Sequence, residues 1–531
     1  MGQEPWLTYI TSIQYTSDSR PIIESNRLVE LCRKHGILSE RLFGCKDFVL
    51  ESGVRSRKSG VVETRASASF QESQPPIDEF LKQLSQQDIK LWIEEPSNTT
   101  TEPRLKCNAP KGTLTPVLQA SLKERKAEIM QFLHNRASGT SVDLEAQAVL
   151  DRVIQPTSCQ PRSQVERILV TGATGFLGAF LVYELLQQTE AKIYCLVRAE
   201  KSESAQHKLQ SCLQSYLLWQ ESFSSRIIPV VGDLSQPLLG LSEPQFQTLA
   251  SEIDIIYHNG AWVHHTLPYS LLKATNVLGT QEVLRLACQG IKPVHFISTI
   301  SVFAATAPQK TQIIREQEPL DPNRSPIGGY AQSKWVAEKL VTIARDRGLP
   351  VSIYRLGAVA GHSQTGVFNQ KDFLYKLIQG CIQLGSAPIG TMMLDIMPVD
   401  YVAKAIVSLS KPASQAEFHL VHPQPVSVDV LFDQLCSRGY TIQRLPYAQW
   451  RAMLLKIAES SPDHPLYAIA SLFATNHSQG TSHAAMQFDC HNTLTGLANT
   501  SIVCPPIDAM LNTYLSYLMK NGFLDTPKQV V

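Results

Sequence analysis

At 531 residues the chain exceeds one ordinary domain, and two or three are expected. Hydrophobic residues make up 43% and charged residues 18%, the balance of a soluble globular protein, and a net charge of +1 supplies no basic field for nucleic acid. Eleven cysteines at scattered spacing, with no CxxC, read as reduced thiols of a cytoplasmic protein and not as a disulfide framework.

The N-terminal "MGQEPWLTYITSIQ" has no basic segment followed by an apolar core, so a secretory signal is not expected. Trp6 stands where a myristoylation motif needs Ser or Thr. Residues 1–75 form an unassigned leader and polar linker: "RLVELCRKHG" suggests a short helix ended by Gly36, and a Ser-rich stretch runs to Pro75 and Pro76. The most apolar run, "ILVTGATGFLGAFLVYELL", is broken by three glycines and Glu184, so no membrane span is expected.

Residues 76–136 change character. Ile77, Phe80, Leu81, Leu84 and Ile89 recur at helical spacing. "KLWIEE" and "RLKCNAP" alternate as two short strands around "PSNTT", and "TPVLQASLKERKAEIMQFLHNR" reads as one helix with Thr115 as N-cap and Pro116 at its first position. This αββα unit, through "APKGTLTPVL" and "LKERKAEIMQFL", resembles the tubulysin-type N-terminal docking domain of nonribosomal peptide synthetases and hybrid polyketide synthases. The resemblance implies a partner: the tail of an upstream synthase subunit, captured by strand addition. Residues 137–165 follow as a polar linker, with "VDLEAQAVLDRVI" a candidate short helix.

"VERILVTGATGFLGAFLVYELL" places a glycine turn between a buried strand and a helix. Gly172 permits the tight turn, Gly175 lets the backbone approach a pyrophosphate, and Gly178 lets helix pack on strand, with Thr171, Thr174, Phe176 and Leu177 completing the loop. The anion would rest on the helix N-terminus. After the second strand, "KIYCLV", stands Arg198, where an acidic residue would bind the 2′-hydroxyl of NAD. A guanidinium suits a 2′-phosphate, so NADPH is the expected cofactor. Asp233 and Leu234 after "IIPVVG" are placed at the adenine edge, and Asn259, Gly260 and Ala261 line the cofactor beyond "DIIYH". Strand-like runs at "PVHFIS", "VSIYRL" and "EFHLV" complete an α/β doubly wound parallel sheet of Rossmann type over residues 166–423. His258, His264 and His265 fit no standard metal spacing, and no metal is expected.

The fifth strand runs into "STISVF", so Ser298, Thr299 and Ser301 lie near the ligand edge of the sheet. Tyr330 follows Thr299 by thirty-one residues, and Lys334 lies one helical turn later. A second Tyr-x-x-x-Lys, Tyr269 and Lys273, precedes the fifth strand and reads as substrate edge or plain helix surface. "TGATGFLG", "GDL", "HNGA", "NVLGT", "STISVF", "YAQSK" and "YRLGAVAG" together resemble the extended short-chain dehydrogenase/reductase family. That resemblance implies a catalytic set of a strand-edge hydroxyl, a Tyr and a Lys. Counting back three from Val302–Phe303 selects Thr299, with Tyr330 as acid and Lys334 as its helper.

"LVRAEK", "PYSLLKATNVLGTQEVLRLA" and "YAQSKWVAEKLV" are more specifically similar to the thioester reductase branch, over about residue 165 to the C-terminus. This implies NADPH-dependent release of an acyl or peptidyl chain from the phosphopantetheine arm of a carrier protein. No carrier serine motif stands upstream of residue 166, so the carrier is expected on another polypeptide. Substrate-binding parts are expected in an insertion at about 362–396 and in a mainly helical segment, 424–531, with Asp400 capping a helix between them. The competing readings are a free-standing reductase or epimerase of a small metabolite, and a non-catalytic dinucleotide-binding scaffold.

Overall fold

The computed structural model describes residues 77–531 apart from 88, 95–103, 110–112, 138–141, 158–164, 265–266, 305–311, 371, 391, 411–414, 462–463, 474–485, 525–526 and 528–531. Ahead of these, only an antiparallel pairing of Gln14–Tyr15 with Pro21–Ile22 is described, and the expected helix at 27–36 lies outside the described residues.

The small N-terminal module comprises α1 (Ile77–Gln86), β1 (Lys90–Glu94), β2 (Arg104–Asn108), α2 (Pro116–Glu124) and α3 (Lys126–Ala137). Helical spacing puts Phe80, Leu81 and Leu84 on one buried stripe, closed by Ile89 and Leu91. Thr115 accepts a hydrogen bond from the Leu118 amide at 3.2 Å, and Pro116 takes the first helical position, as expected. The single long helix read from the sequence is two. It breaks at Arg125, whose buried guanidinium lies 4.7 Å from the centre of the Phe80 ring and pairs with Glu128 at 2.8 Å. The core of this module is completed from elsewhere in the chain, by Leu267 and Leu271.

The stretch read as a linker is partly a strap. Leu144–Gln147 is helical (α4) and capped by Asp143, and Leu144, Ala148, Leu150 and Ile154 are buried against the large domain. Arg347 holds the strap by donating to the carbonyls of Leu150, Asp151 and Ile154 at 3.0, 2.7 and 2.7 Å.

The large domain is built on a seven-stranded sheet: β3 (Arg167–Thr171), β4 (Lys192–Val197), β5 (Ile227–Val231), β6 (Ile255–His258), β7 (Val294–Thr299), β9 (Val351–Leu356) and β14 (Glu417–Leu420). Their spatial order is β14-β9-β7-β6-β3-β4-β5, parallel at every pairing. Both faces are covered, which is why these strands are apolar throughout instead of alternating. One face packs α5 (Phe176–Gln188), α6 (Ser202–Ser215) and α12 (Val399–Leu409). The other packs α7 (Glu243–Glu252), α9 (Gly279–Cys288) and α10 (Gly329–Asp346). The strand order reverses between β3 and β6, which opens the ligand crevice beyond their C-terminal ends.

Among the described residues, most of the remaining helices form one subdomain. α11 (Phe373–Leu384), from the insertion, shares a core with α13 (Val428–Ser437), α14 (Tyr447–Ser460) and α16 (Ile507–Lys520). Insertion and C-terminal segment are therefore a single packed body. β8 (Gln312–Ile314), in the loop before α10, pairs in parallel with β17 (Met486–Phe488) and ties that loop to the C-terminal segment. Asp400 does not cap α12: Pro398 holds that position. The Asp400 carboxylate instead takes the amide and hydroxyl of Ser363 at 2.8 and 2.7 Å, anchoring the start of the insertion. Among the described residues no helix is long and apolar enough to cross a membrane.

Candidate active site

The glycine turn joins β3 to α5, as the sequence requires. Gly172 has φ +72°, and a Cβ there would lie 2.7 Å from the Gly260 Cα. Only glycine satisfies both constraints. A Cβ on Gly178 would stand 2.0 Å from the Gly172 carbonyl oxygen, so the first turn of α5 closes directly onto the loop. Gly175 is the N-cap of α5 and brings no side-chain cap to the first-turn amides. Thr174 and Gly175 are exposed, and Phe176 and Leu177 are half-buried at the mouth. A dinucleotide pyrophosphate fits this cradle: it is backbone-lined, open and at a helix N-terminus.

Of the other predicted cofactor residues, Asn259 and Gly260 contact the turn directly. Asn259 donates to the Gly172 carbonyl at 3.3 Å, and the Gly260 amide donates to Thr171 Oγ1 at 2.9 Å. Asp233 is half-buried, with its carboxylate accepting from the Ser235 amide at 2.8 Å. Arg198 is exposed at the end of β4. Lys208 of α6, which no sequence pattern singles out, donates from Nζ to the Arg198 carbonyl at 2.8 Å, so two cations flank this corner.

On the reacting side, β7 ends at Thr299, and the chain turns through a short 3₁₀ segment, Ile300–Phe303. Thr299 caps that turn: its Oγ1 accepts from the Ser301 amide and donates to Ser301 Oγ, both at 3.2 Å. The buried hydroxyl of Ser298 donates instead to Glu338 at 2.5 Å. Glu338 is itself held by the buried Arg355, at 2.9 and 2.7 Å.

Tyr330 and Lys334 occupy the first turns of α10. Tyr330 is half-buried, and desolvation pushes its hydroxyl up to about 12. Lys334 is buried; its Nζ donates to the Ile297 carbonyl at 2.7 Å and sits 4.0 Å from the centre of the Phe296 ring. Burial pushes its pKa down to about 7, opposed by the Glu338 carboxylate one turn along the helix. Desolvation is thus the largest influence on both groups.

The second pair is different. Tyr269 is buried on α8 (Tyr269–Lys273) and is not helix surface, while Lys273 reaches Gln147 of the strap at 2.7 Å. α8 and α10 touch closely: a Cβ on Gly329 would fall 2.3 Å from the Leu267 carbonyl oxygen.

The histidines serve separate structural contacts. Both ring nitrogens of His258 are engaged, with Thr171 Oγ1 at 2.7 Å and Thr280 Oγ1 at 2.9 Å. His264 Nδ1 accepts from the Leu267 amide at 3.2 Å, and His265 lies outside the described residues.

Comparison with known proteins identifies relatives of both domains. Residues 170–406 match the Male sterility protein family of NAD-binding domains, and residues 77–135 match the TubC N-terminal docking domain. A linear gramicidin synthase chain of Brevibacillus parabrevis is 39% identical over 413 residues, which cover 75% of this chain but only 8% of that protein. The terminal R domain of the myxalamid PKS-NRPS biosynthetic pathway is 45% identical, with a TM-score of 0.68 over 73% of this chain and 100% of that one. A thiolation-reductase di-domain from an archaeal nonribosomal peptide synthetase is 25% identical, with a TM-score of 0.58, covering 73% of this chain and 82% of that one. The chain thus belongs to the family of terminal reductase (R) domains of nonribosomal peptide and polyketide synthases, with a TubC-type docking domain ahead of the reductase.

Proposed function

We propose that the protein reductively releases an acyl or peptidyl chain, held as a thioester on the phosphopantetheine arm of a carrier protein, as an aldehyde, and that a second reduction gives an alcohol. The observation that carries this reading is Lys334, buried on α10 one turn after Tyr330 and donating to the Ile297 carbonyl two residues before Thr299, in a sheet whose order reverses at the strand that feeds the glycine turn.

A reduced nicotinamide held at this site would supply the hydride for the thioester carbonyl carbon. As charge grows on the carbonyl oxygen, Tyr330 donates a proton there and Thr299 adds a hydrogen bond. Lys334 would hold the nicotinamide ribose and, once charged, would draw the Tyr330 pKa down from the high value that burial imposes. The resulting thiohemiacetal collapses to aldehyde and free thiol.

NADPH is the proposed form of the cofactor, because Arg198 and Lys208 flank the corner where a 2′-phosphate would sit. Thr171, Gly172, Thr174, Gly175, Phe176, Leu177, Gly178, Asp233, Leu234, Asn259, Gly260 and Ala261 are the proposed cofactor contacts. The carrier acts in trans, and residues 77–135 receive an upstream synthase subunit, all in the cytoplasm. The thiolation-reductase pairing in the archaeal relative supports a carrier as substrate donor. The test is NADPH oxidation with a carrier-loaded thioester against free ketones and nucleotide sugars. Turnover of the thioester is expected, and turnover of the free metabolites alone would overturn the reading.

A further inference from the structure

The active site has two halves: the glycine turn that takes the cofactor, and the first turn of α10 that carries the acid. Between them lies a buried file of hydrogen bonds whose directions can be assigned. Thr280 Oγ1 donates to the Asn276 carbonyl at 2.7 Å, so its one proton is spent. At its 2.9 Å contact with His258 Nε2 it must therefore accept, which puts the ring proton on Nε2. His258 is buried and neutral, so its Nδ1 is bare and accepts the Thr171 hydroxyl proton at 2.7 Å. Thr171 Oγ1 in turn accepts from the Gly260 amide at 2.9 Å. The imidazole thus faces the cofactor loop with its acceptor and α9 with its donor.

The file continues beyond Thr280. Asn276 lies in a π-helical turn, Ala274–Leu278, between α8 and α9. Its side-chain orientation is fixed: Oδ1 accepts from the Trp262 amide at 2.7 Å, while Nδ2 donates to the Trp262 carbonyl at 3.2 Å and to Ser333 Oγ at 2.9 Å. Ser333 Oγ donates to the Tyr330 carbonyl at 2.8 Å. Every member except the Gly260 backbone and Trp262 belongs to β3, β6, the π turn, α9 or α10, and Thr171, His258, Asn276, Thr280 and Ser333 are all buried. No proton in the file is shared ambiguously, and each link leaves its neighbour one way to point.

We propose that His258 is a positioning residue that joins the cofactor loop to the helix bearing Tyr330, by accepting from Thr171 and donating to Thr280. It touches no reacting atom. The inference rests on Tyr330 being the acid, but its binding and exchange readouts do not require thioester chemistry.

The test uses the full chain, with NADPH as the probe. His258→Phe fills the space and breaks both links. The expected result is an NADPH Kd raised about 5–20-fold by fluorescence titration, the loss of roughly one or two buried hydrogen bonds. Amide exchange at residues 329–334 should also quicken in the ligand-free protein. Thr280→Val breaks the helix side alone: kcat should fall about 5–20-fold while the NADPH Kd stays within about twofold, a split that a general loss of packing does not give. Thr280→Ser keeps the hydroxyl and should restore kcat. If His258→Phe does not fold, the Thr280 pair decides. The proposal is overturned if Thr280→Val leaves kcat unchanged, if it raises the Kd as much as it lowers kcat, or if Thr280→Ser fails to rescue. A wild-type protein inert toward thioesters refutes the functional reading, while the Kd and exchange results for His258→Phe still judge the connection.

Discussion

α8 and α10 carry the same Tyr-x-x-x-Lys spacing and pack against each other, yet they do opposite things. On α10 the lysine is buried under the strand edge and the tyrosine keeps part of its surface open to the crevice. On α8 the tyrosine is buried, with a hydroxyl that finds no partner among the described residues, and the lysine reaches outward to the strap. The i, i+4 spacing puts both groups on one helix face in each case. What separates the pairs is which member is sealed from water and which strand end the helix faces. α8 has become a structural bracket: Leu271 completes the core of the docking module, and the Leu267–Tyr269 backbone supports Gly329 at the start of α10.

The contrast breaks most sharply at the two tyrosines. Tyr330→Phe is expected to lower turnover by about 10²–10⁴-fold with NADPH binding retained. Tyr269→Phe should leave turnover within about twofold and stabilise the fold by about 1 kcal/mol in urea unfolding, because it removes a buried hydroxyl without a partner. Equal losses from both would erase the distinction.

The lysines sharpen it through pH. Burial depresses Lys334 from its ordinary 10.5 to about 7, so folding a charged Lys334 carries a cost that is complete below about pH 7, shrinks between 7 and 10.5, and vanishes above. Lys334→Met should therefore abolish reduction yet stabilise the ligand-free protein at pH 6, with the gain gone by pH 10.5. Melting curves at the two pH values check the sign. Lys273→Met should cost under about 1 kcal/mol, the worth of one half-exposed contact to Gln147.

The bracket itself gives smaller effects. Leu271→Ala removes a buried side chain shared with the docking module and should loosen residues 77–137 by about 2–3 kcal/mol, seen as faster exchange there while NADPH binding is unaffected. Arg347→Met takes three carbonyl contacts from the strap and should open residues 142–157 to proteolysis at a cost of about 1–3 kcal/mol.

Local patterns made much of the large domain legible. Glycines between a strand and a helix, strands apolar on both faces and a tyrosine-lysine turn after a hydroxyl-bearing strand edge each state a physical requirement in consecutive residues. The strap, the bracket and the His258 file were not legible, because their partners lie far apart in the chain. Thr171 and His258 are 87 residues apart, and Arg347 reaches Leu150 across 197. No periodicity encodes such a pairing. A polar run such as 137–165 reads as linker until an arginine elsewhere is seen to hold its carbonyls. The break at Arg125 escaped for a similar reason: helix propensity continues through it, and the Phe80 ring that Arg125 packs on lies 45 residues away.

The central claim is that Tyr330, supported by Lys334 and Thr299, protonates the oxygen of a carrier-bound thioester as hydride arrives. The direct measurement is mass spectrometry of the products formed from a carrier-loaded acyl thioester and NADPH by the wild-type chain and by Tyr330→Phe. Aldehyde or alcohol with free carrier thiol from the wild type, and unreacted thioester from Tyr330→Phe with NADPH still bound, is the predicted result. Equal aldehyde from both, or release as a hydrolysed acid or a cyclised product without NADPH consumption, would contradict it.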